Sequence, residues 1–376
     1  MKRPAVVKAL GGVAALVLAV GCSPGGASSG SAGERPRTPP SASASGTAAA
    51  PPAAGRVAVE GTLAEGLESP WGLAELPGGD LLVSSRDERT VTRIDGRTGA
   101  ETPLGEVPGV VPAGEGGLLG LAVRDGWVYA YLTASSDNRI VRMRYGGGAG
   151  DRLGPPEPVL TGIPKGFTHN GGRIAFGPDG MLYAGTGETG DTGLAQDRGS
   201  LGGKILRMTP GGKPAPGNPF PGSPVYSYGH RNVQGLAWDA DGRLWAAEFG
   251  QNTWDELNLV GAGRNYGWPE AEGRAGKEGF TDPVAQWPTS EASPSGIAYA
   301  RGAIWMAGLR GERLWRIPLS GAERSGEPEA FLEGEYGRLR TVLATGGDRL
   351  WLVTSETDTR GTPGPGDDRI LRLRAE

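Results

Sequence analysis

GGRIAFGPDGMLYAGT, residues 171–186, is two short apolar runs joined across Pro-Asp-Gly, and the same phrase returns along the chain. It stands as WGLAELPGGDLLVSS at 71–85, GLAVRDGWVYAYLT at 120–133 and GLAWDADGRLWAAEF at 235–249. GIAYARGAIWMAGL at 296–309 and TVLATGGDRLWLVT at 341–354 complete six copies. An apolar run, a turn that usually carries Asp-Gly or Gly-Gly, and a second run with aromatics make a hairpin signature. A spacing of roughly fifty to sixty residues, with no helical period between copies, predicts an all-β, six-bladed β-propeller with four antiparallel strands per blade. TVTRID from Thr90, RIVRMRY from Arg139, KILRM from Lys204, ELNLV from Glu256, RLWRIPL from Arg313 and RILRLR from Arg369 are expected as the fourth strands. The last of these is expected to meet the VAVEGTLAEG segment near Val57 and close the ring.

Composition agrees with short strands. The 376 residues include 68 glycines and 31 prolines, which disfavour long helices. Net charge is −4, and the basic residues are scattered rather than massed in a stripe, so nucleic acid is not an expected partner.

The chain opens MKRPAVVKALGGVAALVLAVGCS: a basic start, an apolar stretch of about fifteen residues and small residues ending at Cys22. That suits an exported precursor better than a membrane span. Cys22, the only cysteine, follows Leu18-Ala19-Val20-Gly21 and resembles a bacterial lipobox, the alternative being a plain secretory signal. No disulfide can form within the chain. Residues 23–55 are a Pro/Ser/Ala/Gly tract with almost no large apolar side chains, expected as an unstructured tether. The expected organisation is therefore a signal peptide at 1–22, a linker at 23–55 and the propeller at 56–376. The expected location is the outer face of the cell membrane, with a lipid anchor as the only membrane contact.

Propellers carry function on the loops at one rim, and four polar clusters fall just outside strands. Thr168-His169-Asn170-Gly171-Gly172 offers a proton acceptor in a loop open to close approach, or merely a surface histidine in a turn. Arg231 and Asn232, in Gly229-His230-Arg231-Asn232, offer donors for a developing oxyanion, or an inter-blade corner. Glu248 to Glu256 with Tyr266 supplies oxygens of the kind calcium takes, though without EF-hand spacing. Arg310, Arg338 and Arg340 suit a ligand with several carboxylates, or are a solvated face.

In this order, HNGGR, GHRN-x-QGLA, EFGQNTWDELNLV, GRNYGWPE and the C-terminal RGTPGPGDDRILRL resemble the soluble glucose and aldose sugar dehydrogenases that use pyrroloquinoline quinone, over nearly all of the chain after the linker. The resemblance implies a six-bladed propeller that oxidises the anomeric hydroxyl of an aldose, with pyrroloquinoline quinone and Ca2+ as cofactors and an electron acceptor it does not specify. It implies His169 as general base and Arg231 with Asn232 on the quinone oxygens. It also implies calcium on the carbonyls of Gly250 and Gln251, and cofactor carboxylates clasped by Arg310, Arg338 and Arg340. Asp255, Glu256 and Tyr266 match positions near a second calcium.

Three departures stand out. Thr168 replaces an aspartate before the histidine, which is expected to deprive the ring of an orienting carboxylate. Glu115 replaces a cofactor-touching glutamine, and its charge is expected to repel an anionic quinone or to supply a metal ligand. Gln196 is the nearest amide to a glucose-specific glutamine. Besides the dehydrogenase, a non-catalytic propeller binding a glycan or protein, and a metal-dependent lactonase, remain compatible with the residues.

Overall fold

The computed structural model describes residues 55–146 and 152–376. The leader, Cys22 and residues 23–54 of the tether lie outside them.

Each quoted phrase folds as the expected hairpin. In the third copy Ile174–Phe176 pairs with Leu182–Gly185, and Gly180 closes the turn at φ 75°, its N–H donating to the Gly177 carbonyl at 2.9 Å. Six antiparallel sheets result, making a six-bladed propeller whose innermost strands are Pro70–Glu75, Leu118–Arg124, Ile174–Phe176, Val233–Trp238, Pro294–Ala300 and Leu339–Ala344. The only helix among the described residues is the single turn Gly193–Gln196.

The glycine that recurs in the inner strands has a packing reason. A Cβ on Gly120 would sit 2.3 Å from the Gly172 carbonyl oxygen, and one on Gly235 would sit 2.4 Å from that of Ser295. Neighbouring inner strands approach too closely at these points for any side chain. Outside that ring, an aromatic in five of the six second strands fills the space between sheets: Tyr129, Tyr183, Trp245, Trp305 and Trp351 are all buried, while Leu81–Ser85 carries none. Each such ring removes on the order of 200 Å² from water.

The runs expected as fourth strands are the third strands instead: Thr90–Ile94, Asn138–Arg144, Lys204–Met208, Trp254–Val260, Arg313–Ser320 and Ile370–Ala375. The outermost strands, such as Glu101–Glu106 (ETPLGE) and Glu157–Ile163 (EPVLTGI), are largely exposed edges without a continuous apolar face. They carry little periodic signal for that reason. The last blade takes its outer strand from the start of the domain: Val57–Ala64 pairs antiparallel with Ile370–Ala375, from Val57 opposite Ala375 to Ala64 opposite Ile370.

Candidate active site

In an antiparallel hairpin the start of the first strand and the end of the second lie at the same edge. The loops entering the inner strands and those leaving the second strands therefore share one rim. Glu115, His169, Arg231 with Asn232, Ser293 and Arg338 come from the first set; Glu188, Phe249 to Gln251, Arg310 and Asp358 come from the second. Residues far apart in sequence are gathered by that rule alone.

His169 sits at φ 53°. Its backbone N–H donates to Glu115 Oε2 at 2.9 Å, and its own carbonyl accepts from Thr189 N–H at 3.2 Å. Its ring lies between two charged groups. Nδ1 is 2.5 Å from Glu188 Oε1, and Arg231 Nη2 lies 3.0 Å from Nε2. Because a guanidinium can only donate, Nε2 accepts and Nδ1 carries the hydrogen given to Glu188. The carboxylate that the change to Thr168 was expected to remove is thus supplied by Glu188, which is only 1% exposed and comes from the far side of the hairpin. Sequence reading passed over Glu188 in GTGETGD; its signal is its place three residues beyond the end of a second strand, facing the histidine loop.

Arg231 is buried, which pushes its guanidinium below the usual arginine range despite the nearby Glu188, Glu272, Glu115 and Asp255 carboxylates. Its Nε and the Nδ2 of fully buried Asn232 have no hydrogen-bond partner. Two consecutive residues of the rim loop thus each carry a buried donor without a partner, beside the cavity rather than in its lining. His230 is structural: wholly buried, it bridges Ser227 Oγ at 2.8 Å and Glu248 Oε1 at 2.7 Å and stacks on Tyr266 with centroids 4.6 Å apart.

Next to this pair opens a cavity of about 400 Å³. Arg86, Arg310, Arg338, Arg340 and Arg360 line it with only Glu115 and Asp358 as acidic groups, a formal surplus of three positive charges. Arg338 and Arg340 share one carboxylate oxygen, Asp358 Oδ2, at 2.9 and 2.8 Å. Burial would raise the Asp358 carboxyl, but the Arg340 and Arg338 guanidiniums outweigh that and hold it at about 2. Burial pushes Arg340 down to about 10 against the pull of Asp358. Arg310 is exposed and makes no ion pair or hydrogen bond among the described residues. Trp71 forms part of the lining, with Arg173 4.4 Å and Arg340 5.8 Å from its ring. Glu115 does not stand as a bare negative charge here, because Arg360 Nη2 donates to its Oε1 at 2.6 Å.

The expected calcium ligands are placed differently. The N–H groups of Gln251, Asn252, Thr253 and Trp254 all donate to Glu272 Oε1 at 2.7 to 3.1 Å, and no described residue donates to the carbonyls of Gly250 or Gln251. Those two oxygens are free to face a cation. Asp255 and Glu256 are neighbours on one strand and project to opposite faces. Asp255 accepts from Gly250 and Ser293 N–H, while Glu256 accepts from Gly273 N–H and Asn258 Nδ2. Burial raises Asp255 to about 7, and burial with the Glu248 carboxylate pushes Glu256 well above the usual carboxylate range. The Tyr266 hydroxyl lies between the Leu259 carbonyl and the Gly261 N–H. Their side chains do not converge on one point, and among the described residues no cluster of three or more His, Cys, Asp or Glu is placed to hold a metal.

Gln196 exchanges hydrogen bonds with Asn265 and donates to the Trp268 carbonyl, leaving no polar atom directed at a sugar. Lys204, unremarked in the sequence, is wholly buried, its Nζ donating to the carbonyls of Leu194, Ala195 and Gly202 at 2.5, 3.1 and 2.6 Å. It ties down the loop that begins with Glu188.

Comparison with known proteins gives this rim a context. The PQQ-bound form of an aldose sugar dehydrogenase from Streptomyces coelicolor is 71% identical, with a TM-score of 0.85, over 87% of this chain and 100% of that one. The aldose sugar dehydrogenase YliI of Escherichia coli is 30% identical over 265 residues, 66% of this chain and 71% of that protein. Quinoprotein glucose dehydrogenase B of Acinetobacter calcoaceticus is 30% identical over 252 residues, which span 57% of this chain and 53% of that protein. The model of the glucose/sorbosone dehydrogenase family matches residues 67–363, and the chain belongs to that family.

Proposed function

We propose that this protein oxidises aldose sugars at the anomeric hydroxyl to the lactone, using pyrroloquinoline quinone held in the arginine-lined cavity. The observation that carries this reading is the Glu188–His169–Arg231 chain of contacts set against a cavity with three surplus positive charges. Pyrroloquinoline quinone is a planar tricarboxylate, so the surplus matches its charge. The unpartnered Arg231 Nε and Asn232 Nδ2 fit its ring oxygens, and Arg310, Arg338 and Arg340 fit its carboxylates. Ca2+ fits the free carbonyls of Gly250 and Gln251, whereas the Asp255 and Glu256 side chains point to opposite faces of their strand.

When bound, the quinone supplies the two-electron acceptor for the hydride leaving C1. His169 Nε2 takes the hydroxyl proton as the C1–O bond becomes a carbonyl, the sugar hydroxyl replacing Arg231 as its partner. Glu188 fixes the ring with Nδ1–H inward and balances the charge the imidazole acquires. Arg231, held through its backbone N–H by Glu248 Oε2 at 2.8 Å, keeps its donors aimed at the developing oxyanion. Arg360 neutralises Glu115, so that carboxylate does not oppose an anionic ligand.

The basic-apolar start and the residues before Cys22 support export and lipid anchoring at the outer face of the membrane. Replacing Cys22 by serine should then abolish lipid labelling and release the protein into the medium.

The test of the activity is to add pyrroloquinoline quinone and calcium to the purified protein and follow the cofactor spectrum across a panel of aldoses. Tight binding with sugar-dependent reduction supports the reading. No binding at micromolar cofactor would overturn it and favour a non-catalytic binding propeller.

A further inference from the structure

Among the described residues, only two large apolar side chains are exposed, Phe167 at 75% and Val111 at 42%. Both lie on the loops that frame His169. An aromatic ring open to water beside an active site is unfavourable unless something covers it in use.

The backbone beneath Phe167 is held on every side. Its carbonyl accepts from Glu115 N–H at 2.8 Å. Gly166 N–H donates to Asn170 Oδ1 at 3.0 Å, and Asn170 Nδ2 donates back to the Gly166 carbonyl at 2.9 Å. His169 N–H donates to Glu115 Oε2. One ring edge rests against Gly114, where a Cβ would lie 2.1 Å from the Phe167 carbonyl oxygen and 2.9 Å from ring carbons. The ring is exposed because it is presented, not because its loop lacks anchoring.

We propose that Phe167 is a stacking platform for a second sugar ring, the one glycosidically linked to the aldose oxidised at His169, and that it favours oligosaccharides over free monosaccharides. This rests on the dehydrogenase reading above. With C1 at His169, the ring joined through a distal hydroxyl extends outward toward the rim, where Phe167 stands two residues from the base. Sugar rings present a face of C–H groups that packs on an aromatic face. The size of the patch selects this occupant: one phenyl ring offers of the order of 200 Å², against roughly 800 Å² per side for a stable protein interface.

The test compares glucose with maltotriose as substrates of the cofactor-loaded protein, using Phe167→Ala and Phe167→Trp, and titrates maltotriitol, which lacks an anomeric hydroxyl, by calorimetry. Phe167→Ala is expected to raise KM for maltotriose and weaken maltotriitol binding by about tenfold, leaving kcat and glucose kinetics within about twofold, while Phe167→Trp restores both. Equal effects on glucose and maltotriose, or none on either, would overturn the platform while leaving the dehydrogenase in place. A cofactor-loaded wild type that oxidises neither sugar would overturn the parent reading and this inference with it.

Discussion

Arg231 and His169, 62 positions apart and on the rim loops of adjacent blades, meet with Nη2 and Nε2 3.0 Å apart. The contact fixes which nitrogen of the ring is free to act and places a positive group next to the atom that takes the proton. Chemistry at this rim depends on that pairing and on Glu188 behind it.

His169→Ala removes the one imidazole of the rim loops that reaches solvent, His230 being wholly buried. It is expected to leave cofactor affinity within a few-fold and to lower kcat by at least about 100-fold, as for loss of a general base. Single-turnover reduction of the bound cofactor by excess aldose measures it directly.

Glu188→Gln keeps a hydrogen-bonding side chain but removes the charge opposite Nδ1. A fall in kcat of roughly 10- to 100-fold is expected, with cofactor Kd unchanged. If kcat is preserved across the pH range, Glu188 has only a packing role.

Asp358→Asn strips buried Arg340 and half-buried Arg338 of their shared counter-ion. At pH 7 it is expected to cost about 3 kcal/mol, read from urea unfolding. The carboxyl is held at about 2 in the fold against an ordinary value of 3.8, so its contribution is full above about pH 4 and is lost as pH falls toward 2. Wild type and variant should therefore converge in stability as the pH is lowered through that window.

Lys204→Met leaves the carbonyls of Leu194, Ala195 and Gly202 without their donor. Leaving such groups unsatisfied is expected to cost about 1–3 kcal/mol and to loosen the loop from Glu188 to Gly203. Limited proteolysis should cut within that loop sooner than in wild type, and kcat should drop about tenfold as Glu188 loses its support.

The repeat in the sequence determined the architecture, because a strand that buries one or both faces must repeat its apolar pattern wherever the architecture repeats. It determined the hairpins, the number of blades and the rim loops that carry His169, Arg231 and Arg338. It did not reveal the outer strands, whose exposed edges need no apolar pattern, whereas the third strands carry one and stand out in their place. Nor could it pair Glu188 with His169, Arg360 with Glu115 or Asp358 with two arginines. Those partners come from different loops or different blades, and their meeting is set by ring closure and hairpin geometry rather than by local spacing. The buried Lys204 and the presented Phe167 make the same point from opposite sides. A lysine reads as surface and a phenylalanine as core until the packing of the whole ring decides which of them faces water.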